Sequence, residues 1–165
     1  MSKKIFVCYD HEKDVAYFNI LKSWLSGDDF TIVTGCSVSE AMVSSRALTS
    51  RVAMLEQKLH NVSAFILIVT ENTRNLSMQM LWEVNVALNK DVPIIAMNIN
   101  GLRYIDENNC PTLLKNKHVL HIANNSKVLE KALEIWPTYY KEHKKEAGQG
   151  ARFFKDEFYR SLGID

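Results

Sequence analysis

The stretch Ser63–Asn100, SAFILIVTENTRNLSMQMLWEVNVALNKDVPIIAMNIN, decides the fold. It opens with Ala64-Phe65-Ile66-Leu67-Ile68-Val69, six apolar residues in a row without alternation. A strand of that kind is buried on both faces, as in a parallel sheet. Thr70–Ser77 is largely polar and reads as a loop. Met78–Asn89 then takes up helical spacing, with Met80, Leu81, Val84 and Leu88 as the buried set. Pro93–Ile99 is a second apolar strand. Strand, helix and strand in 38 residues form one βαβ unit, and the connection is too long for a hairpin.

The same alternation extends outward. Ile5–Tyr9 is a short apolar strand, bounded by Lys4 and Asp10. Val15, Phe18, Leu21 and Leu25 follow at helical spacing, and Gly27 is the stop signal. Phe30–Val33 is a strand, and Thr34–Ser39 is a loop with Ser39 as candidate cap. Glu40–Leu59 is helical in pattern, with Leu48, Val52, Leu55 and Leu59 on one face. Its start is blurred by Ser44 and Ser45, which are weak helix formers. On the other side, Asn100–Lys117 is irregular and His118–Ile122 is a weak fifth strand. Lys127–Trp136 is a helix that Pro137 ends or kinks, and Tyr139–Glu146 is a candidate continuation. Gly148 and Gly150 punctuate, and Arg152–Leu162 is a last amphipathic segment. The pattern predicts an α/β fold, flavodoxin-like and doubly wound. Its parallel sheet has five strands in the order 2-1-3-4-5, with extra C-terminal helices. Residues 1–125 form the α/β domain, and 126–165 form a helical extension packed on it.

Composition narrows the function classes. The chain has 165 residues, 47% hydrophobic and 24% charged, which suits one globular domain and excludes wholesale disorder, collagen and a coiled-coil rod. Twenty basic and 19 acidic residues give a net charge of +1, so nothing advertises a nucleic-acid or membrane-surface binder. The three cysteines, Cys8, Cys36 and Cys110, are odd in number and widely spaced, without a CxxC. A disulfide framework and a Cys-rich metal site are both disfavoured. The apolar N-terminal run is too short for a signal-peptide core, and no other run reaches about 18 apolar residues. A soluble, reducing, cytoplasmic setting is the expectation.

In doubly wound folds, sites lie at the carboxyl ends of the strands. Attention therefore falls on Tyr9–Glu12, Thr34–Ser39, Thr70–Ser77 and Asn98–Leu102. Neither GxGxxG nor GxxxxGK[ST] is present, and the loop after the first strand has no glycine, which argues against ordinary Rossmann and P-loop binding. A phosphoacceptor receiver would need an acid where Thr70 stands; Asp10 and Glu12 imitate its acidic cluster, but Glu71 is a poor substitute for the acceptor. The nucleophile elbow GxSxG is missing. Cys8 reads as a strand core residue, and Cys36 is a lone loop thiol. His118 and His121, three apart on a strand, face opposite sides and make no metal pair; no metal is expected. His11 sits at a strand end or in the entry turn of the first helix. Glu83 differs from these. It falls early in a helix that starts at the active edge, among Met78, Met80 and Trp82. An acid in such surroundings is a candidate for the perturbed pKa that acid–base and charge-stabilising catalysis requires, although the helix dipole alone would also favour it there.

With these residues in place, the chain resembles the TIR domain superfamily, and most closely the TIR-like group of bacterial antiphage Thoeris systems. The resemblance is carried by Lys4–Asp10, by Ala64–Asn75, by Trp82-Glu83 and by Pro93-Ile94-Ile95. It spans about Lys3 to Asn125, judged by matching elements. It implies an enzyme that cleaves the nicotinamide–ribose bond of NAD with a helix glutamate, here Glu83. NAD is then substrate rather than cofactor, and no cofactor is implied. Attack by water gives ADP-ribose, and attack from within the molecule gives a cyclic product. Thoeris-type proteins resemble the second case and make a diffusible signal for an effector. By the same resemblance Tyr9, Asp10, Asn72, Thr73 and Trp82 line the substrate pocket, and the loop Thr34–Ser45 borders it. Many relatives carry an aromatic residue four positions before the glutamate; here that position is Gln79.

Two further readings stay open from the residues. One is a non-catalytic TIR-like scaffold that acts by self-association or partner binding. The other is a flavodoxin-like nucleotide binder, which bound flavin would reveal by visible absorbance. The C-terminal aromatics Tyr139, Tyr140, Phe153, Phe154, Phe158 and Tyr159 either complete the core or form a surface for homo-oligomers.

Overall fold

A computed structural model describes residues 2–35, 48–143 and 150–165. The readings placed on Cys36, Ser39, the helix start at Glu40, Ser44, Ser45 and Gly148, and most of the loop Thr34–Ser45, lie outside those residues.

Among the described residues six parallel strands form one sheet: β1 (Lys3–Cys8), β2 (Phe30–Thr34), β3 (Ala64–Val69), β4 (Ile94–Asn98), β5 (Leu120–Ala123) and β6 (Arg152–Phe153). Their order is β2-β1-β3-β4-β5-β6. The doubly wound order expected from the sequence is present, with one strand more. That strand pairs Leu120 with Arg152 and His121 with Phe153, and the Arg152 N–H donates to the Val119 carbonyl at 2.8 Å. Two residues are too few to carry a period-2 signal, which is why Arg152–Leu162 read as one amphipathic segment.

Helices cover both faces. On one side lie α1 (Val15–Trp24), α4 (Ser126–His143) and α5 (Asp156–Ser161); on the other lie α2 (Leu48–Lys58) and α3 (Met78–Asn89). β-strand alternation sorts the side chains between them. Ile5, Val7 and Tyr9 enter the first layer, whereas Phe6 and Cys8 enter the second. Likewise Ala64, Ile66 and Ile68 oppose Phe65, Leu67 and Val69. Phe6 and Phe65 sit side by side in register with rings stacked at 5.2 Å. Burying such a side chain contributes roughly 2–3 kcal/mol.

α4 continues through Pro137. Proline costs a helix about 3 kcal/mol. The offset comes from tertiary contacts: Trp136, Tyr139 and Tyr140 all pack against the His118 ring. Trp136 in α4 and Tyr159 in α5 are buried in the first core layer, and the Tyr159 hydroxyl accepts the Ala123 N–H at 3.1 Å. His118 packs on that side, while Leu120 and Ile122 share its face and His121 points to the other. No helix among the described residues is long and apolar enough to cross a membrane.

Candidate active site

The carboxyl ends of β1, β2 and β3 meet the start of α3. Ser77 caps that helix: its side chain accepts the Met80 N–H at 3.3 Å. After β1 the chain turns tightly. Asp10 Oδ1 accepts the N–H groups of Glu12 and Lys13, each at 3.0 Å, an Asx-type turn. His11 stacks on Tyr9 at 4.3 Å, and Tyr9 stacks on Phe18 at 4.3 Å. Between this turn and the first residues of α3 is a cavity of about 250 Å³. Tyr9, Asp10, His11 and Glu12 line one side, and Ser77, Gln79 and Met80 line the other.

Glu83 lies one helical turn beyond Gln79. The buried face of α3 is Met80, Glu83, Val84 and Ala87, spaced i, i+3, i+4, i+7. An acid therefore occupies a core position that the pattern would give to an apolar residue. Leu81 and Leu88, expected in the buried set, are only half-buried, because the helix is rotated to bring Glu83, Val86 and Ala87 inward. Glu83 is 0% exposed. Its Oε2 accepts the Gln79 Nε2–H at 2.8 Å. Its Oε1 receives no hydrogen bond from a described N–H or O–H group. The thiol of Cys8, on β1, faces the carboxyl group as a weak donor.

Burial pushes the Glu83 carboxyl up to about 7, outweighing the Gln79 hydrogen bond, the Cys8 thiol and the charge of Lys58, which all favour ionisation. The neighbours feel it in return. Burial first, and then the Glu83 charge, raise both the Cys8 thiol and the Tyr9 phenol. Lys58 is held nearby by donating to the Thr34 carbonyl at 3.2 Å. Gly35, next in the chain, presses against the carboxyl. A Cβ there would collide with Glu83 Oε2, lie 2.7 Å from Cδ and lie 3.2 Å from Gln79 Nε2. A carboxyl poised near neutrality exchanges readily between its acid and charged forms, and the charged form stabilises developing positive charge in a dry site.

Of the residues named from the sequence, Tyr9 and Asp10 line the cavity. Asn72 and Thr73 knot the loop after β3. Asn72 Nδ2 donates to Asp14 Oδ1 at 2.9 Å, and its N–H donates to Thr70 Oγ1 at 3.0 Å. Thr73 is fully buried; its hydroxyl donates toward the Thr70 and Asn109 carbonyls at 2.9 Å and accepts the Thr70 N–H at 3.1 Å. Trp82 is half-buried against the second core layer, with the Arg51 guanidinium 5.1 Å from its ring centre. Among the described residues no cluster of three His, Cys, Asp or Glu could hold a metal.

Sequence reasoning missed three contributors. Gln79 was legible as the i−4 neighbour of Glu83. Cys8 was legible from strand alternation once β1 and β3 were paired. Gly35 carried no signal, since only the fold reveals what it touches.

The model of a protein family described as "Thoeris protein ThsB, TIR-like domain" matches residues 6–104. The chain belongs to this family. A search of curated proteins gave no match. The family span runs from within β1 through β4, and takes in Cys8, Tyr9, Gly35, Gln79 and Glu83. Membership in the ThsB TIR-like family ties the chain to Thoeris antiphage defence. The elements α4, β5, β6 and α5 lie beyond the matched span.

Proposed function

We propose that the chain is a TIR-like enzyme that cleaves NAD, releases nicotinamide and leaves an ADP-ribose signal, in the cyclic form when the nucleophile comes from the same molecule. The observation that supports this most is the buried Glu83 carboxyl on the core face of α3, with a single N–H donor and a cavity one helical turn away. A cavity of about 250 Å³ suits the nicotinamide–ribose end of the substrate rather than the whole dinucleotide.

In the reaction, the bond from ribose C1′ to the pyridinium nitrogen breaks. Its electron pair goes to nitrogen, and nicotinamide leaves neutral. The ribose becomes oxocarbenium-like, and the Glu83 carboxylate stabilises it directly or through the ribose hydroxyls. An oxygen or nitrogen nucleophile then closes on C1′; an attacking water or hydroxyl group also loses its proton. Tyr9 and Asp10 contact the substrate from the first loop. Asn72, Thr73 and Trp82 support the site without lining its cavity. The setting is the cytoplasm, with self-association as the assembly and a separate effector as the receiver of the diffusible product.

The test is chromatography and mass spectrometry of products from NAD and the full chain, alone and in lysate of phage-infected cells. Nicotinamide release by the wild type and its loss in Glu83→Gln is the expected result. The product mass then separates cyclase from hydrolase. No release in either setting overturns the enzymatic reading and leaves the scaffold.

A further inference from the structure

Gln79 has an unusual position. Among the described residues it is the only side chain that both lines the cavity and donates a hydrogen bond to the Glu83 carboxyl. Its Nε2 reaches Oε2 at 2.8 Å across one helical turn. The same nitrogen would meet a Cβ on Gly35 at 3.2 Å, so the backbone at Gly35 and the Gln79 amide close on the carboxyl together. Glu83 itself is wholly covered, whereas Gln79 is half-buried.

We propose that Gln79 is the positioning residue of this site: its amide fixes the Glu83 carboxylate in one orientation, and its cavity-facing position couples that orientation to the substrate. The inference rests on the reading of Glu83 as the working carboxylate. The physical basis is that Glu83 has two carboxylate oxygens and, among the described residues, one N–H donor between them. Of the groups that favour ionisation of this carboxyl, the Gln79 amide acts most, ahead of the Cys8 thiol and the Lys58 charge, and a charge-assisted N–H bond of this kind fixes the carboxylate's orientation. Ser77 and Met80 line the same wall but make no hydrogen bond to Glu83. Cys8 and Lys58 act on the carboxyl from the sheet and from α2, and neither lines the cavity.

The groups facing Glu83 are thus Gln79 on its own helix, Cys8 and Tyr9 from β1 and its end, and Lys58 from α2. Gln79→Met keeps length and helix propensity and removes the donor. The first readout needs no turnover. With glutamate labelled at the side-chain carboxyl carbon, the Glu83 resonance is assigned as the one missing in Glu83→Gln and followed against pH. In Gln79→Met its midpoint is expected to move up by about one pH unit, the effect of losing one charge-assisted hydrogen bond. The second readout is nicotinamide release. Expected in Gln79→Met is a kcat about fivefold lower at pH 7, a gap that narrows as pH rises, and a KM within about twofold of wild type. A purely structural role would lower the rate equally at every pH.

An unmoved Glu83 titration overturns the proposal. Gln79→Leu repeats the measurement should the Met variant fold poorly. A moved titration with no NAD cleavage by either protein keeps Gln79 as the residue that positions Glu83 and overturns the enzymatic reading instead.

Discussion

Asp14 and Glu83 lie buried at the same end of the sheet, and they are treated differently. Asp14 is 1% exposed, and Glu83 is 0% exposed. Asp14 accepts the Thr70 hydroxyl at 2.8 Å and the Asn72 amide at 2.9 Å, one donor on each oxygen. Glu83 accepts one N–H on one oxygen, and its other oxygen has no such partner. Asp14 clamps the loop after β1 to the loop after β3. Glu83 clamps nothing. Equal burial therefore does not mark equal purpose; the count of N–H and O–H donors does. A satisfied buried acid stabilises a fold, and an unsatisfied one is retained at a cost that function has to justify.

The largest expected effect breaks the pair apart by function. Glu83→Gln should lower nicotinamide release by about a thousandfold or more, the scale of losing one charge-stabilising group, with the fold intact by circular dichroism. Asp14→Ala should do the reverse. It leaves Thr70 and Asn72 without their acceptor and should lower unfolding free energy by about 2–4 kcal/mol in urea titration, while the folded fraction keeps most of its kcat. Equal losses of activity in the two variants would erase the distinction.

Gly35→Ala is next. A Cβ at this position runs into the Glu83 carboxyl rather than into a flexible surface chain. The carboxyl must turn away from Gln79 or the backbone must retreat. Overpacking of this kind costs about 1–3 kcal/mol, and misplacing a catalytic group by about 1 Å costs about a hundredfold in rate. A variant with wild-type kcat would mean that the tight approach of Gly35 has no part in the chemistry.

The third prediction uses pH. The folded-state pKa of Glu83 is about 7, above its ordinary 4.5, so the folded protein holds this proton more tightly than the unfolded chain. Stability contributed by the protonated form is full below about 4.5, declines as pH rises to 7, and is gone above it. Glu83→Gln cannot titrate there. Its melting temperature should therefore exceed that of the wild type at pH 8 by more than at pH 5, an effect of order 3 kcal/mol at most. His121 complicates a single pH scan, because burial lowers its imidazole to about 4 and destabilises the fold as pH falls from 6.5 toward 4. It is present in both proteins, and the difference between them cancels it. An equal gap at pH 5 and pH 8 would place the Glu83 titration elsewhere. The same ionisation should make nicotinamide release rise through pH 7.

What the sequence made legible follows the same physics. β3 and β4 were readable because burial on both faces leaves an unbroken apolar run, and α3 because twelve residues carry several turns of periodicity. Glu83 stood out as an acid among Met78, Met80 and Trp82. Its place on the buried face was not visible, since Leu81 and Leu88 fit the periodicity as well as Val84 and Ala87 do. Asp14 was overlooked despite preceding Val15 at a helix start. Its partners Thr70 and Asn72 are more than fifty residues away, and no local pattern pairs them. β6 escaped because two residues have no period. The elements set by local burial were legible, and the contacts between loops, which make the site, were not.

The smallest effect sharpens the comparison at the Asp14 end. Thr73 is fully buried, and its hydroxyl serves three backbone groups: the carbonyls of Thr70 and Asn109 and the N–H of Thr70. Valine has the same shape without the hydroxyl, so Thr73→Val keeps the packing and strands those groups. The loss should be about 1–2 kcal/mol, read from the urea midpoint at unchanged slope. Because the hydroxyl is wholly engaged within the loop, KM for NAD should stay within about twofold. A raised KM with unchanged stability would move Thr73 from the clamp to the substrate, and the loop after β3 would then belong with Glu83 rather than with Asp14.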